Sequence, residues 1–152
     1  MSVMPEAVIG TLRWLCGVLH REKISFQVIG DIAMPLEGPL PSVSTVELFV
    51  SADSLPQLMR VFEGCITEYP WRRRNEQWDL IMMGLNNGDV VVSIGVSDGA
   101  RMRAGTSAKW EDVVIDFGAS KVVTLEGVKI PIPSRTEFAR ELRLPTPREE
   151  SS

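Results

Sequence analysis

The sequence predicts an α+β domain, in which a mixed β-sheet is flanked by helices on one side or both. Three observations lead to this class. Residues 5–20 carry apolar side chains at helical spacing, short β-rich runs follow, and two pairs of the later runs are joined by turn dipeptides. The expected order of elements is α-β-α-β-α-β-β-β-β-α.

Helices and strands alternate in the first part of the chain. Residues 5–20 are predicted as a helix because their apolar side chains recur every three or four positions. Residues 25–29 form a short strand that ends at Gly30, and residues 43–50 form a second strand. Between them the sequence predicts a short helix over 32–36, followed by a loop rich in Pro and Ser.

A capped helix is predicted within residues 51–64. Asp53 or Ser54 supplies the N-cap, and Gln57 lies three residues after Ser54, as in a capping box. Gly64 ends the helix.

Turn dipeptides between apolar runs predict two β-hairpins, at Asn87-Gly88 and at Glu126-Gly127. Their strands are 78–85 with 90–96, and 121–125 with 128–132. Residues 90–96 are apolar on both faces of the strand, so this strand is expected at a central, covered position in the sheet.

A last helix is predicted to open at the capping box of residues 134–137 and to end at Pro145. Residues 1–145 are therefore expected to form a single domain, and residues 146–152 a short polar tail.

Composition narrows the class of protein. The 152 residues are 44% hydrophobic and 24% charged, which is typical of a soluble globular domain, and no apolar run is long enough to span a bilayer. The net charge of −4 argues against nucleic acid as the main partner. The sequence has no secretory signal pattern, and Cys16 and Cys65 lack the spacing of a metal or redox site, so both are expected to be reduced thiols. A cytoplasmic location is expected.

Residues 19–64 have a distinctive order of elements. A helix leads to a strand ending at Gly30, a short helix follows, and the next strand carries an acid, Glu47, ahead of a capped helix. This order resembles the opening of the nucleotidyltransferase superfamily, and most closely the minimal nucleotidyltransferases, which include antibiotic nucleotidyltransferases and toxin–antitoxin components. The resemblance implies a nucleotidyltransferase-like fold, although the motif itself is confined to residues 19–64.

The resemblance also assigns positions within this chain. Gly30 stands at the first glycine of the family's Gly-Gly or Gly-Ser, and Asp31 replaces the second residue of that pair. The family's next strand carries acid–apolar–acid, and here Thr45 holds the first position and Glu47 the second. Ser93, or a neighbour, stands where the third acid is expected.

The acidic motif is therefore degenerate. Nucleotidyl transfer uses two divalent cations about 4 Å apart, and Mg²⁺ requires oxygen ligands that include carboxylates. Thr45 and Glu47 share one face of a strand, but a hydroxyl carries no charge to offset a dication. Glu47 is the candidate metal ligand, and Glu47 and Asp31 are the candidate catalytic acids. Gly30, Asp31 and Thr45 are candidate nucleotide-binding residues, although an acid at position 31 would repel phosphate at a helix N-terminus.

Residues 70–78 form an unusual segment, with three arginines between Trp71 and Trp78. Arg72 and Arg74 are candidate nucleotide-binding residues, since guanidinium groups bind phosphate bidentately and an indole can stack on a base. The alternative is that both tryptophans pack inward and the arginines cover them. In a strand, consecutive arginines point to opposite faces, so the three cannot line one groove.

A second basic segment follows the Asp98-Gly99 turn, within a predicted loop at residues 98–110. Its cations are Arg101, Arg103 and Lys109. They strengthen the phosphate-binding hypothesis only if they face the same cleft as the arginines of residues 70–78.

Three hypotheses remain open. In the first, the chain is a nucleotidyltransferase-fold protein without catalysis, which needs no cofactor and serves as a ligand-binding or protein-interaction module. In the second, it is an active Mg²⁺-dependent nucleotidyltransferase that uses a nucleoside triphosphate. In the third, it is an unrelated α+β interaction domain. The expected partners are a nucleotide or small molecule, a second copy of the chain or another protein, and neither a membrane nor nucleic acid.

Overall fold

A computed structural model of the protein describes residues 6–30, 45–134 and 144–145. Two helices and eight strands lie within these ranges. The elements are α1 (Glu6–Arg21), β1 (Phe26–Ile29), β2 (Thr45–Val50), α2 (Leu55–Val61), β3 (Ile66–Arg74), β4 (Trp78–Asn87), β5 (Val90–Met102), β6 (Glu111–Asp112), β7 (Lys121–Leu125) and β8 (Val128–Ile132).

The main sheet has the strand order β1-β2-β5-β4-β3, and the short strand β6 pairs with the far end of β5. Strands β2 and β5 are parallel, whereas the other neighbouring strands are antiparallel. Strands β7 and β8 form a separate hairpin that contacts β1 and α1. The sheet is mixed and the fold is α+β, as the sequence predicts.

The central position of β5 follows from its composition. It runs between β2 and β4, and residues 90–96 are buried almost throughout. A strand with apolar side chains on both faces must be covered on both, and only an inner strand meets this requirement. The expectation for residues 90–96 is confirmed.

The face of the sheet that packs against α1 holds the larger apolar core. Because the apolar side chains of α1 recur at helical spacing, one side of the helix is buried against the sheet. Helix α2 and the β7–β8 hairpin pack into the same core. Representative buried side chains are Leu12, Leu15, Leu19, Leu48, Leu58, Phe62, Ile94 and Ile130. Both described helices therefore cover one face.

A second, smaller apolar cluster covers the opposite face of the sheet. Its buried members are Ile29, Phe49, Trp78, Leu80, Met82, Ala100, Val113 and Leu144. Phe49 and Trp78 contact each other with their ring centroids 6.3 Å apart. Side chains alternate between faces along a strand, so Glu47, two residues before Phe49, lies on the face of this second cluster.

An irregularity in β5 changes which residues face which side. Ile81 pairs with Val96, but Asp79 pairs with Arg101, so β5 contains extra residues between the two pairs. Gly99 lies there with φ of +76°, a conformation that favours glycine. The strand continues to Met102, so the prediction of a loop over 98–110 is wrong for its first residues.

Most of the other predicted elements agree with the structure, but the predicted capping box does not. The helix over 5–20, the strands over 25–29 and 43–50 and both hairpins are confirmed within the described ranges. The capping box is wrong, because Ser54 makes no side-chain cap hydrogen bond and Gln57 Nε2 donates instead to the Glu22 backbone oxygen (3.0 Å).

Several predictions lie outside the described residues. These are the short helix over 32–36 and its loop, the helix opening after Ser134, and the tail at 146–152. Among the described residues, no helix combines the length and the apolarity needed to cross a bilayer.

Candidate functional site

Glu47 lies in the middle of β2, between β1 and β5. It pairs with Ile29 of β1 on one side and with Ser93 of β5 on the other. The strand carrying the acid therefore lies against the strand that ends at Gly30. The third hypothesis, in which this arrangement is a coincidence, depended on these strands being apart.

Gly30 ends β1 in a backbone conformation that favours glycine, and the Glu47 carboxylate lies directly beside it. The residue has φ of +78°, and a β-carbon there would overlap Glu47 Oε2. A side chain at position 30 would thus meet both backbone strain and a steric clash. The glycine of the motif lets the main chain pass directly against the acid.

The Glu47 carboxylate has a structural partner within the chain. Its Oε1 accepts a hydrogen bond from the Leu144 backbone N–H at 2.7 Å. Leu144 is buried, and its side chain belongs to the second apolar cluster. A hydrogen bond between a backbone amide and a carboxylate is charge-assisted, so Glu47 fixes the chain near Leu144 on this face.

The other two motif positions carry hydroxyl groups. Thr45 begins β2, shares the face of Glu47 and is partly buried. Ser93 lies next to Glu47 and is fully buried, and its Oγ has no hydrogen-bond partner within the described ranges. The surroundings are tight, since a β-carbon on Gly95 would lie 2.9 Å from a Phe49 ring carbon and 3.1 Å from a Leu144 methyl carbon.

The donor atoms at the described motif positions do not by themselves fit a two-metal centre. Across residues 6–30, 45–134 and 144–145, no cluster of three or more His, Cys, Asp or Glu side chains could hold a metal ion. The motif positions on β2 and β5 offer one carboxylate and two hydroxyls, and that carboxylate already accepts a backbone hydrogen bond. Two dications about 4 Å apart require more negative charge than this. Asp31, the other candidate acid, lies outside the described residues.

Arg72 and Arg74 lie on β3, at the edge of the sheet, and point away from Glu47. The arginine between them is buried and pairs with Leu80, a member of the second cluster, so it shares the face of Glu47. Arg72 and Arg74 are exposed on the opposite face. The prediction that consecutive arginines diverge is confirmed, and Arg72 and Arg74 do not converge with Glu47 on one site.

A buried carboxylate, Asp79 of β4, anchors this opposite face. Arg72 donates to it from Nε (2.8 Å) and Nη2 (2.7 Å), and Arg101 donates from Nη2 (2.6 Å). The two hydrogen bonds from Arg72, and then the one from Arg101, hold the pKa of Asp79 well below its ordinary value. Asp79 in turn raises the pKa of Arg72.

Trp110 brings the two basic segments together. The guanidinium carbons of Arg74, Arg101 and Arg103 lie 5.7, 5.6 and 4.4 Å from the centroid of its ring. Arg72, Arg74, Arg101 and Arg103 are called the arginine cluster below. These four arginines therefore lie on the same side of the sheet, as the phosphate-binding hypothesis requires. No hydrogen bond or ring contact within the described ranges joins Lys109 to them.

The sequence interpretation missed the organising residues of this face. Trp110 closes the segment 98–110 and Asp79 follows Trp78, so both were visible next to the basic segments. Their roles depend on the pairing of β4 with β5, which places Asp79 opposite Arg101. The inward packing proposed for both tryptophans is confirmed for Trp78, whereas Trp71 is 46% exposed.

Comparison with known proteins bears on the fold. No protein-family model matches the sequence. No curated protein matches it significantly. A solved structure does match, that of a Thermotoga maritima protein whose assignment as a nucleotidyltransferase is provisional. The TM-score is 0.74 with 21% sequence identity, over 91% of this chain and 83% of the other. The chain therefore has a nucleotidyltransferase-like fold, as the motif of residues 19–64 implied.

Proposed function

We propose that this protein is a nucleotidyltransferase-fold domain without transferase activity, which acts as a ligand-binding or protein-interaction module. One observation carries the proposal. The carboxylate at the motif position of β2, Glu47, is held against Gly30 and accepts the backbone N–H of Leu144. It serves as an internal hydrogen-bond acceptor where an active enzyme would use it to hold a metal.

The charge at the site supports this proposal. A metal pair that activates a nucleophile and stabilises a leaving pyrophosphate needs several anionic ligands around it. Thr45 and Ser93 contribute no charge beside Glu47, and Ser93 is fully buried. A single carboxylate with nucleotide phosphates could hold one Mg²⁺ weakly, but it would not hold two.

The packing of the same face also supports it. The second apolar cluster brings Phe49, Leu80 and Leu144 closer than van der Waals contact to the position that a Gly95 β-carbon would take. The site of nucleotidyl transfer must admit a triphosphate and an acceptor, both of them polar and hydrated. A closely packed apolar face next to Ser93 is better suited to stabilising the fold.

The exposed edge strand β3 supports a role in binding another protein chain. Strand β3 is nine residues long and has β4 on one side, with no strand on its other side among the described residues. Tyr69 and Trp71 on β3 are 60% and 46% exposed, and Ile81 on β4 is 36% exposed. Exposed aromatic side chains on an edge strand favour contact with another chain, and a homodimer is the simplest form of this proposal.

The cysteines agree with a cytoplasmic location, which forms part of the proposal. Cys16 and Cys65 are both free thiols. Burial raises the pKa of the Cys16 thiol to about 12, so this group stays protonated and unreactive.

Calorimetry with ATP, GTP, CTP and UTP, each with and without Mg²⁺, tests the loss of catalysis. We expect no binding that requires Mg²⁺ at millimolar nucleotide, and no difference between the wild type and Glu47→Gln. Metal-dependent binding that Glu47→Gln abolishes would instead establish the active transferase. Light scattering tests the interaction role: a monomer at all concentrations, together with no partner in a pull-down, would remove its support.

A further inference from the structure

The arginine cluster has more guanidinium groups than ion-paired carboxylates among the described residues. Its four guanidinium groups have one carboxylate within ion-pair distance among the described residues, that of Asp79. Arg103 uses its donors on the backbone oxygens of Glu76 (2.7 Å) and Thr106 (3.2 Å), and neither of these acceptors is anionic. The cluster thus concentrates cations on a chain whose net charge is −4.

The Trp110 ring stabilises several positively charged groups close to one another. A cation over an indole face is attracted by the ring quadrupole, and three arginines share this one ring. The attraction offsets part of the repulsion between the guanidinium groups but supplies no negative charge. An anionic ligand would relieve the remaining repulsion.

The guanidinium groups remain open to solvent, so a ligand can reach them. The Arg72 and Arg101 side chains are 63% and 38% exposed, and Arg74 is exposed as well. Within the described ranges the Arg74 guanidinium lies over the Trp110 ring and forms no ion pair with a carboxylate. The Asp79 carboxylate contacts Arg72 and Arg101, and the Trp110 ring contacts Arg74, Arg101 and Arg103.

We propose that the arginine cluster is a binding site for adjacent phosphate groups, as in a polyphosphate chain or the backbone of a single-stranded nucleic acid. Guanidinium groups form paired hydrogen bonds with phosphate oxygens, and several arginines in a row match a ligand with several anionic groups. The site lies on the face of the sheet opposite Glu47 and is separate from the motif of residues 19–64. It rests on the ligand-binding form of the proposed function and gives that ligand a chemical class.

The geometry favours recognition of phosphate over recognition of a base. Arg103 lies 4.4 Å from the Trp110 ring centroid, at stacking distance, and two further guanidinium groups approach the same ring. An indole covered in this way is less open to a nucleobase. We therefore expect binding that depends on the number of phosphates and is insensitive to base sequence.

The test is calorimetry at 150 mM KCl without divalent cations, using inorganic triphosphate and a 20-residue oligothymidylate as probes. Arg74→Gln removes one guanidinium that has no hydrogen bond to lose among the described residues. Arg60→Gln, at an exposed position on α2, removes the same charge away from the cluster and is the matched control. Loss of one charge-assisted contact should weaken binding about tenfold in Arg74→Gln and less than about twofold in Arg60→Gln.

Saturable binding of either probe, weakened more by Arg74→Gln than by Arg60→Gln, supports the site. Triphosphate binding alone indicates a free polyphosphate ligand. Tighter binding of the oligonucleotide with steep salt dependence indicates a nucleic-acid backbone. No binding of either probe, or equal weakening in both variants, overturns the inference and leaves the proposal about catalysis intact. If the probes bind only after Mg²⁺ is added, and Glu47→Gln abolishes that binding, both this inference and the proposal about catalysis are overturned. Circular dichroism of each variant confirms that the fold is retained.

Discussion

Asp79→Asn is the substitution whose effect the structure defines most closely. The Asp79 side chain is 4% exposed, and its two oxygens accept three hydrogen bonds from Arg72 and Arg101, between 2.6 and 2.8 Å long. Asparagine has the same shape but no charge. One of its two positions becomes an amide N–H₂ that faces a guanidinium donor, so at least one hydrogen bond is lost and the others weaken.

The magnitude follows from these contacts. Hydrogen bonds to charged groups contribute roughly 1.5–3 kcal/mol each. The Arg72 side chain is 63% exposed and can be rehydrated, so its share must be discounted. We expect Asp79→Asn to lower the free energy of unfolding by about 2–3 kcal/mol at pH 7, which corresponds to a fall in Tm of about 5–9 °C for a domain of this size.

The stabilisation by Asp79 must also depend on pH. Its pKa is lower in the folded state than the ordinary value of 3.8, so the unfolded chain takes up the proton first as the pH falls. The stabilisation is complete above this ordinary value and is lost as the pH falls through it towards the folded-state pKa. The difference between the wild type and Asp79→Asn should therefore be constant from pH 7 to 5 and should shrink below about pH 4.

Urea denaturation followed by circular dichroism, repeated from pH 7 to pH 2.5, measures this difference. Asp89→Asn, at an exposed position in the β4–β5 turn, is the control and should change the free energy of unfolding by less than about 0.5 kcal/mol. An Asp79→Asn effect as small as that of the control, or one independent of pH, would show that the arginines do not stabilise the fold through Asp79.

The remaining predictions concern the face of Glu47. Gly30→Ala should destabilise the fold by more than about 2 kcal/mol, since the new β-carbon meets backbone strain and the Glu47 carboxylate; a neutral effect in thermal denaturation would contradict that contact. Gly95→Ala should cost about 1–3 kcal/mol through overpacking against Phe49 and Leu144, and a rise in Tm would show free space there. Glu47→Ala should lower the free energy of unfolding by about 1–3 kcal/mol, because the buried Leu144 N–H loses its acceptor. Glu47→Gln should lower it by less, because an amide oxygen can still accept this hydrogen bond. Equal stability of the wild type and both variants would show that the hydrogen bond contributes nothing.

Local sequence patterns were sufficient for the elements whose burial is regular. Helix α1 buries one stripe of side chains, and the hairpins carry turn dipeptides that specify their connections, so both could be predicted. Strand β3 was not predicted because its last three residues are arginines, so the strand lacks the alternation of apolar and polar residues that indicates a strand. The capping-box prediction failed because Ser54 has helical backbone angles and is the last residue of a 3-10 turn, and its side chain makes no cap hydrogen bond.

Only one part of the candidate site could be predicted, namely the residues on the neighbouring strands β1 and β2. Gly30 and Glu47 each mark a motif position, and their proximity follows from pairing β1 with β2. The hydrogen bond from Leu144 joins residues 97 positions apart, and no local pattern indicates it. The arginine cluster depends on the irregularity of β5, which turns Arg101 to the side of Asp79 and cannot be read from the spacing of charges alone.

The central claim is that Glu47 serves as a structural acceptor and does not hold a metal pair. The most direct measurement is electron paramagnetic resonance of Mn²⁺ titrated into the protein with a non-hydrolysable nucleoside triphosphate, since Mn²⁺ takes the same oxygen ligands as Mg²⁺. We predict the same bound Mn²⁺ in the wild type and in Glu47→Gln, with no signal from a coupled pair of ions. Two Mn²⁺ ions bound per chain in the wild type, and lost in Glu47→Gln, would contradict this account.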